Sequence, residues 1–222
     1  MRLRIGCGQP VRLQGVGVSE RPDKLAYYEG TAMPARLARR YFRMMGDAGR
    51  ILDVGCGCGD LGRHRPDRGI ELHGVDCDTM ALRQAERFEI VRRVDLESES
   101  LPYPDASFDA VLAKDVLEHL HDPSALVAEI HRVLKPGGIL IASVVMARPR
   151  RVWADYTHIR GFTERAARLL VEDAGFSVER TWPMGGVPLS SRLGFIDLVP
   201  SLLRLPLFNL LWGSSWELCA SK

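Results

Sequence analysis

Ile51-Leu52-Asp53-Val54-Gly55-Cys56-Gly57-Cys58-Gly59-Asp60 reads as a buried strand that breaks into a turn of alternating glycines. A turn without side chains lets a ligand approach the backbone closely. A glycine-rich turn alone is common to many nucleotide-binding sheets, so its spacing carries the information. In a dinucleotide fingerprint the third glycine or alanine stands where this chain has Asp60, whereas Gly55, Gly57 and Gly59 fall on an alternating beat. That mismatch argues against a nicotinamide dinucleotide. Asp53, just before the turn, places a carboxylate beside the loop amides, where it would receive a cationic amino group or fix the loop.

Outward from this turn, short apolar runs alternate with helical patterns, the signature of repeated strand-then-helix units and a mostly parallel sheet. Strands are expected at Ile51–Val54, Glu71–Val75, Ile90–Val94, Phe108–Ala113, Ile139–Val145, Phe176–Thr181 and Trp216–Ser221. Asp122-Pro123 starts a helix whose apolar face is Leu126, Val127, Ile130, Val133 and Leu134, and Lys135-Pro136-Gly137-Gly138 stops it. A second helix runs from Thr163 to Ala174, with Ala167, Leu169 and Leu170 facing inward. Met33–Met45 is helical in pattern but precedes the first core strand, so residues 1–46 are expected to form a cap and residues 47–222 the sheet domain. An apolar insertion of about residues 183–214 precedes the last strand, either as packing over the sheet edge or as a wall for a greasy ligand or second copy. Gly62 and Pro66 interrupt the helix after the glycine turn, which is expected to be short. Leu3-Arg4-Ile5-Gly6-Cys7-Gly8 echoes the glycine turn without its acid and reads as a decoy or an extra strand.

Composition sets the outer limits. The 222 residues suit one α/β domain, and 46% hydrophobic against 26% charged residues is ordinary for a folded chain. A net charge of +2 from scattered residues gives no phosphate-tracking stripe, so a nucleic-acid partner is not expected. The densest cluster, Arg148, Arg150 and Arg151, is either a solvated loop or a cradle for an anionic group. Five cysteines without paired spacing and no secretion signal point to a reducing cytoplasm. Cys56 and Cys58 alternate with glycines and read as small filler, so no metal is expected. No run is apolar enough to span a bilayer; residues 193–212 come nearest and are a candidate for peripheral apolar contact.

After the second expected strand, Gly74-Val75-Asp76 puts a carboxylate where a ribose is gripped through both hydroxyls. Further on come Leu101-Pro102-Tyr103-Pro104-Asp105-Ala106-Ser107-Phe108-Asp109, then Val116-Leu117-Glu118-His119-Leu120, then Leu134-Lys135-Pro136-Gly137-Gly138. Taken in order with the glycine turn, these motifs resemble class I S-adenosylmethionine-dependent methyltransferases of the small-molecule group that includes the ubiquinone and menaquinone methyltransferases. The resemblance covers about residues 33–174. It implies an α/β, Rossmann-like three-layer sandwich, with a mostly parallel seven-stranded sheet and an antiparallel last strand. It implies S-adenosylmethionine as donor and S-adenosylhomocysteine as product. Gly55 and Gly57 would line the methionine part, with Cys56, Gly59 and Asp53 beside them; Asp76, with Cys77 next to it, would hold the ribose; and Asp95 with Leu96 would face the adenine. Ala113, Lys114 and Asp115 would pass beneath the sulfonium, Asp115 on the acceptor side.

Methyl transfer from a sulfonium needs neither metal nor covalent enzyme intermediate, although an acceptor hydroxyl needs a base. His158, in Asp155-Tyr156-Thr157-His158, titrates near neutrality and is the candidate base, against a purely structural histidine. Tyr27 and Tyr28 are candidate lid residues, Trp153, Tyr156 and Trp182 candidate acceptor contacts, and Glu118 and His119 read as structural. The expected acceptor is a small or lipid-like molecule methylated on oxygen or activated carbon, by a monomer or homodimer. A donor-binding module without transfer and a nucleotide-dependent oxidoreductase on a similar sheet are the alternatives.

Overall fold

Strands buried on both faces read as continuous apolar runs, and the central strands here do so. The computed structural model describes residues 12–14, 32–185 and 213–222. They fall into two units, one ending at Pro102 and the other beginning at Tyr103. The first holds β1 (Arg12–Gln14), α1 (Ala35–Met44), β2 (Arg50–Val54), α2 (Asp60–Arg63), β3 (Glu71–Asp76), α3 (Thr79–Leu82) and β4 (Ile90–Arg93). Its strands run parallel in the order β1-β4-β3-β2, with Asp53 opposite Gly74 and Val54 opposite Val75. Ile51, Leu52, Val54, Leu72 and Val75 are fully buried and form its centre.

The helix after the glycine turn is one turn long, as Gly62 and Pro66 require. A Cβ at Gly62 would stand 2.4 Å from the carbonyl oxygen of Glu86, so glycine is there for close approach as well. α1 buries Ala38, Tyr41 and Phe42 and is two residues shorter at its start than expected from the pattern. β1 was not foreseen: three residues carry too little pattern, and pairing with β4 is what makes them a strand. The Leu3–Gly8 stretch, Tyr27 and Tyr28 lie outside the described residues, as do residues 186–212 of the apolar insertion.

The second unit holds β5 (Phe108–Lys114), a 3-10 turn at Leu117–His119, α4 (Pro123–Val133), β6 (Leu134–Val145), α5 (Pro149–Val152), α6 (Glu164–Asp173), β7 (Ser177–Gly185) and β8 (Gly213–Ser221). β6 runs parallel to β5, and β8 lies between β6 and β7, antiparallel to both. The outer parts of the expected insertion, residues 183–185 and 213–214, therefore belong to strands. Asp122 caps α4 by accepting from the N–H of Ser124 at 3.0 Å, and the expected apolar face is buried.

Two details depart from the sequence pattern. Lys135-Pro136-Gly137-Gly138 follows the end of α4, as expected, but already belongs to β6, which begins at Leu134 instead of Ile139; Gly137 N–H donates to the Lys222 carbonyl while Lys222 N–H donates to that of Gly138, each at 3.0 Å. The Lys222 ammonium donates to the carbonyls of His131 at 2.6 Å and Leu134 at 2.7 Å, so a cation satisfies the open end of α4. In α6, Ala167 and Val171, four apart, take the inward face and Leu169 points out. Among the described residues no helix is long and apolar enough to cross a membrane.

Candidate cofactor site and acceptor cluster

In the first unit three strand ends meet around one carboxylate. Gly55 and Cys56 both donate their N–H groups to the Val75 carbonyl, at 2.8 and 3.0 Å, which folds the glycine turn back over β3. Asp76 is buried; its Oδ2 accepts the Gly57 N–H at 2.9 Å and its Oδ1 that of Asp78 at 2.8 Å. Its own carbonyl accepts the Val94 N–H at 2.9 Å, so the end of β4 is tied to the same residue. Gly55, Gly57 and Gly59 have φ of 72°, 49° and 81°, a left-handed conformation that side chains disfavour. Gly74 is small for another reason: a Cβ there would stand 2.7 Å from Cys56 Sγ.

That packing fixes what Cys56 offers. Its thiol lies beneath the turn, and burial, with the nearby charges of Asp76 and Asp53, pushes its pKa well up, so it is a neutral, inert filler. Asp53 is buried at the fourth position of β2. Cys77 is exposed just past β3. Asp95 and Leu96 are half-buried just past β4, where Asp95 Oδ1 accepts the Glu97 N–H at 3.1 Å. The first-unit residues expected to hold the donor therefore lie along the carboxyl ends of adjacent strands. A carboxylate accepts about four hydrogen bonds through its two oxygens, a chemistry that suits vicinal hydroxyls. The residues present fit a nucleoside.

In the second unit Ala113 is buried and Lys114 is ion-paired with Asp115. Asp115 has a φ of 53° and is held there by Ser143, whose hydroxyl donates to Asp115 Oδ1 at 2.7 Å and whose carbonyl accepts the Asp115 N–H at 3.0 Å. Glu118 is only 1% exposed. Its Oε1 accepts the Val145 N–H at 3.1 Å, while Oε2 has no hydrogen-bond partner among the described residues. Burial, then the charge of Asp115, pushes this carboxyl up to about 8, so it is protonated at neutral pH. Its backbone carbonyl accepts the N–H of Ile159 at 2.9 Å, anchoring the loop that carries Trp153, Tyr156 and His158.

Two imidazoles meet on that anchor. His119 and His158 have ring centroids 4.7 Å apart. His119 Nδ1 lies 3.1 Å from Thr157 Oγ1, and burial, then His158, lowers its pKa. His158 Nδ1 lies 2.9 Å from the Val152 carbonyl, which only accepts, so Nδ1 carries the hydrogen and Nε2 the lone pair. Trp153 and Tyr156 are 67% and 89% exposed, free to meet a ligand. Trp182, by contrast, is buried and donates its indole N–H to Glu217 at 2.8 Å, so it belongs to the core and not to an acceptor wall. Arg148 donates to the Gly213 carbonyl at 3.3 Å, a structural contact for one member of the arginine cluster. Ser143 and Thr157 were missed by sequence reading, because their partners lie 28 and 38 residues away.

A family model described as a methyltransferase domain matches residues 52–142, which contain the glycine turn, Asp76 and Glu118. Over these residues the chain is similar to a class I S-adenosylmethionine-dependent methyltransferase domain. A ubiquinone biosynthesis O-methyltransferase of Pseudomonas syringae pv. tomato is 32% identical over 107 residues, 46% of this chain and 46% of that one. A malonyl-[acyl-carrier protein] O-methyltransferase of Enterobacter lignolyticus is 29% identical over 65% of this chain and 59% of that one. The chain spans about half the length of the curated relatives it matches. The fold, mostly parallel with antiparallel last strands, is that of a SAM-dependent methyltransferase from Archaeoglobus fulgidus, with a TM-score of 0.70, 20% identity, and 90% of this chain and 99% of that one covered.

Two outcomes follow from this geometry. Asp76→Asn keeps the shape and one acceptor oxygen but removes the charge, and should weaken binding of S-adenosylmethionine by about 10- to 100-fold in a calorimetric titration, the scale of a hydrogen bond to a charged group; unchanged affinity would contradict the assignment. Glu118 keeps in the fold a proton that an unfolded chain releases above its ordinary 4.5, so its stabilising contribution, full at low pH, is lost as pH rises toward about 8. Glu118→Gln removes that loss, and its melting temperature relative to the unaltered protein should climb between pH 5 and 8. A difference independent of pH would show that Glu118 is ionised throughout.

Proposed function

We propose that the protein transfers a methyl group from S-adenosylmethionine to a small or lipid-like acceptor, on oxygen or an activated carbon, releasing S-adenosylhomocysteine. The observation that carries this reading is the Asp76 carboxylate at the end of β3, bonded to the Gly57 N–H of the glycine turn at 2.9 Å. When bound, the donor supplies an electrophilic methyl group on a sulfonium. Asp76 is assigned to the ribose hydroxyls, Gly55, Cys56, Gly57 and Gly59 to the methionine part through their backbone, Asp53 to its amino group, and Cys77, Asp95 and Leu96 to the nucleoside rim. Ala113 and Lys114 join this set on the family resemblance alone. Residues 1–46, with Tyr27 and Tyr28, are assigned as a cap.

On the acceptor side the chain supplies a base. His158, with its Nδ1 hydrogen held by Val152, takes the acceptor's hydroxyl proton on Nε2 as the new oxygen–carbon bond forms. Trp153 and Tyr156 give an apolar acceptor something to rest on, and Asp115 lies in the same unit. Oxygen as the target is supported by two relatives whose names are those of O-methyltransferases.

Transfer of tritiated methyl from labelled donor to a panel of apolar phenols and carboxylic acids tests the reading. Label in an extracted acceptor is expected. His158→Gln should lose about 10²- to 10⁴-fold in kcat while donor binding is unchanged. A protein that binds the donor yet labels no acceptor would contradict transfer, and an unchanged kcat in the variant would remove His158 as base.

A further inference from the structure

A groove of about 540 Å³ in the first unit is lined, among the described residues, by Arg36, Arg39, Arg43 and Arg68 against one carboxylate, Asp47. It lies at the amino ends of the core strands: Asp47 precedes β2, which starts at Arg50, and Arg68 precedes β3, which starts at Glu71. The glycine turn and Asp76 stand at the opposite, carboxyl ends of the same strands. At ~3.3 Å per residue, strands of five and six residues separate the two places by roughly 15–20 Å. This groove is not part of the donor site.

Its arginines break local rules for a helix. α1 carries Arg36, Arg39, Arg40 and Arg43, like charges three and four residues apart, which repel along one face. Its first turn has no acidic residue and places Arg36 at the positive end of the helix dipole. Among the described residues no carboxylate pairs with Arg39 or Arg43, both exposed, and Arg68 meets Asp47 at a long 3.6 Å. Like charges that cost local stability, with Arg39 and Arg43 lacking a carboxylate partner among the described residues, mark a functional place. The floor between these cations is apolar, built from Phe42 and Pro66.

We propose that this groove binds a phosphomonoester dianion carried on an aromatic or alkyl body, the phosphate held by Arg39, Arg43 and Arg68 and the body against Phe42 and Pro66. Guanidinium forks match phosphate oxygens bidentately, and a dianion balances the excess of positive charge better than a carboxylate does. A soluble phosphorylated metabolite and a phosphatidic acid headgroup present this same chemistry.

The test uses the whole chain in two arms: calorimetric titration with phenyl phosphate, with phenol as its uncharged control, and co-sedimentation with phosphatidylcholine vesicles with or without phosphatidic acid. Phenyl phosphate should bind where phenol does not, or vesicles should retain the protein only when phosphatidic acid is present. Binding should weaken as salt rises, because exposed charges are screened over ~10 Å at 0.1 M. Response in the first arm alone assigns a soluble ligand, and in the second alone a membrane surface. Arg39→Gln/Arg43→Gln should bind at least tenfold more weakly at an equal or slightly higher melting temperature, since like-charge repulsion is relieved, and Arg39→Lys/Arg43→Lys should restore part of the binding loss. Absence of binding in both arms, equal response to phenyl phosphate and phenol, or full binding by the glutamine pair would overturn the proposal and leave methyl transfer untouched.

Discussion

The bond from the Gly57 N–H to Asp76 Oδ2, 2.9 Å long, is the constraint on which the shape of the glycine turn, and with it the proposed nucleoside site, depends. A turn of left-handed glycines has high conformational entropy when free, and only fixed partners hold it in one shape. Here a buried charged acceptor supplies one, and the Val75 carbonyl, taking two N–H groups, supplies the other. Small residues make the arrangement possible. Side chains at Gly59, Gly62 and Gly74 would all run into Phe88, at 3.1, 2.5 and 2.9 Å, so one aromatic ring packs where three Cβ atoms are missing.

The second unit shows the same device with other residues. The chain leaving β5 is tied back to β6 through Asp115 with Ser143 and through Glu118 with Val145. Burying the Glu118 carboxyl is costly, and the cost falls on its ionised form, which is why it holds a proton at neutral pH. The return is positional. One residue fixes the end of β6 with its side chain and the 155–160 loop with its carbonyl, and that loop presents His158 beside His119.

The placement of Asp53, the glycines and Asp76 at strand ends was legible because each belongs to a local motif there. The helix after the turn was legible as short because Gly62 and Pro66 are local breakers. What escaped depended on distant partners. Trp182 has the look of an acceptor wall, but Glu217, 35 residues on, takes its N–H inside the core. Pro136 and its two glycines resemble a helix stop, and they are one, yet pairing with Lys222 makes them a strand start as well. Ser143 carries no motif; only its register opposite Lys114 brings it to Asp115. Thr157 reaches His119 in the same way, through a loop whose course the Glu118 carbonyl sets.

Calorimetric titration of the purified protein with S-adenosylhomocysteine, run beside an identical titration with reduced nicotinamide dinucleotide, examines the nucleoside site without needing an acceptor. The account predicts a single saturable site per chain for the homocysteine product and no heat of binding from the dinucleotide. Silence toward the homocysteine product, or uptake of the dinucleotide in its place, would contradict it.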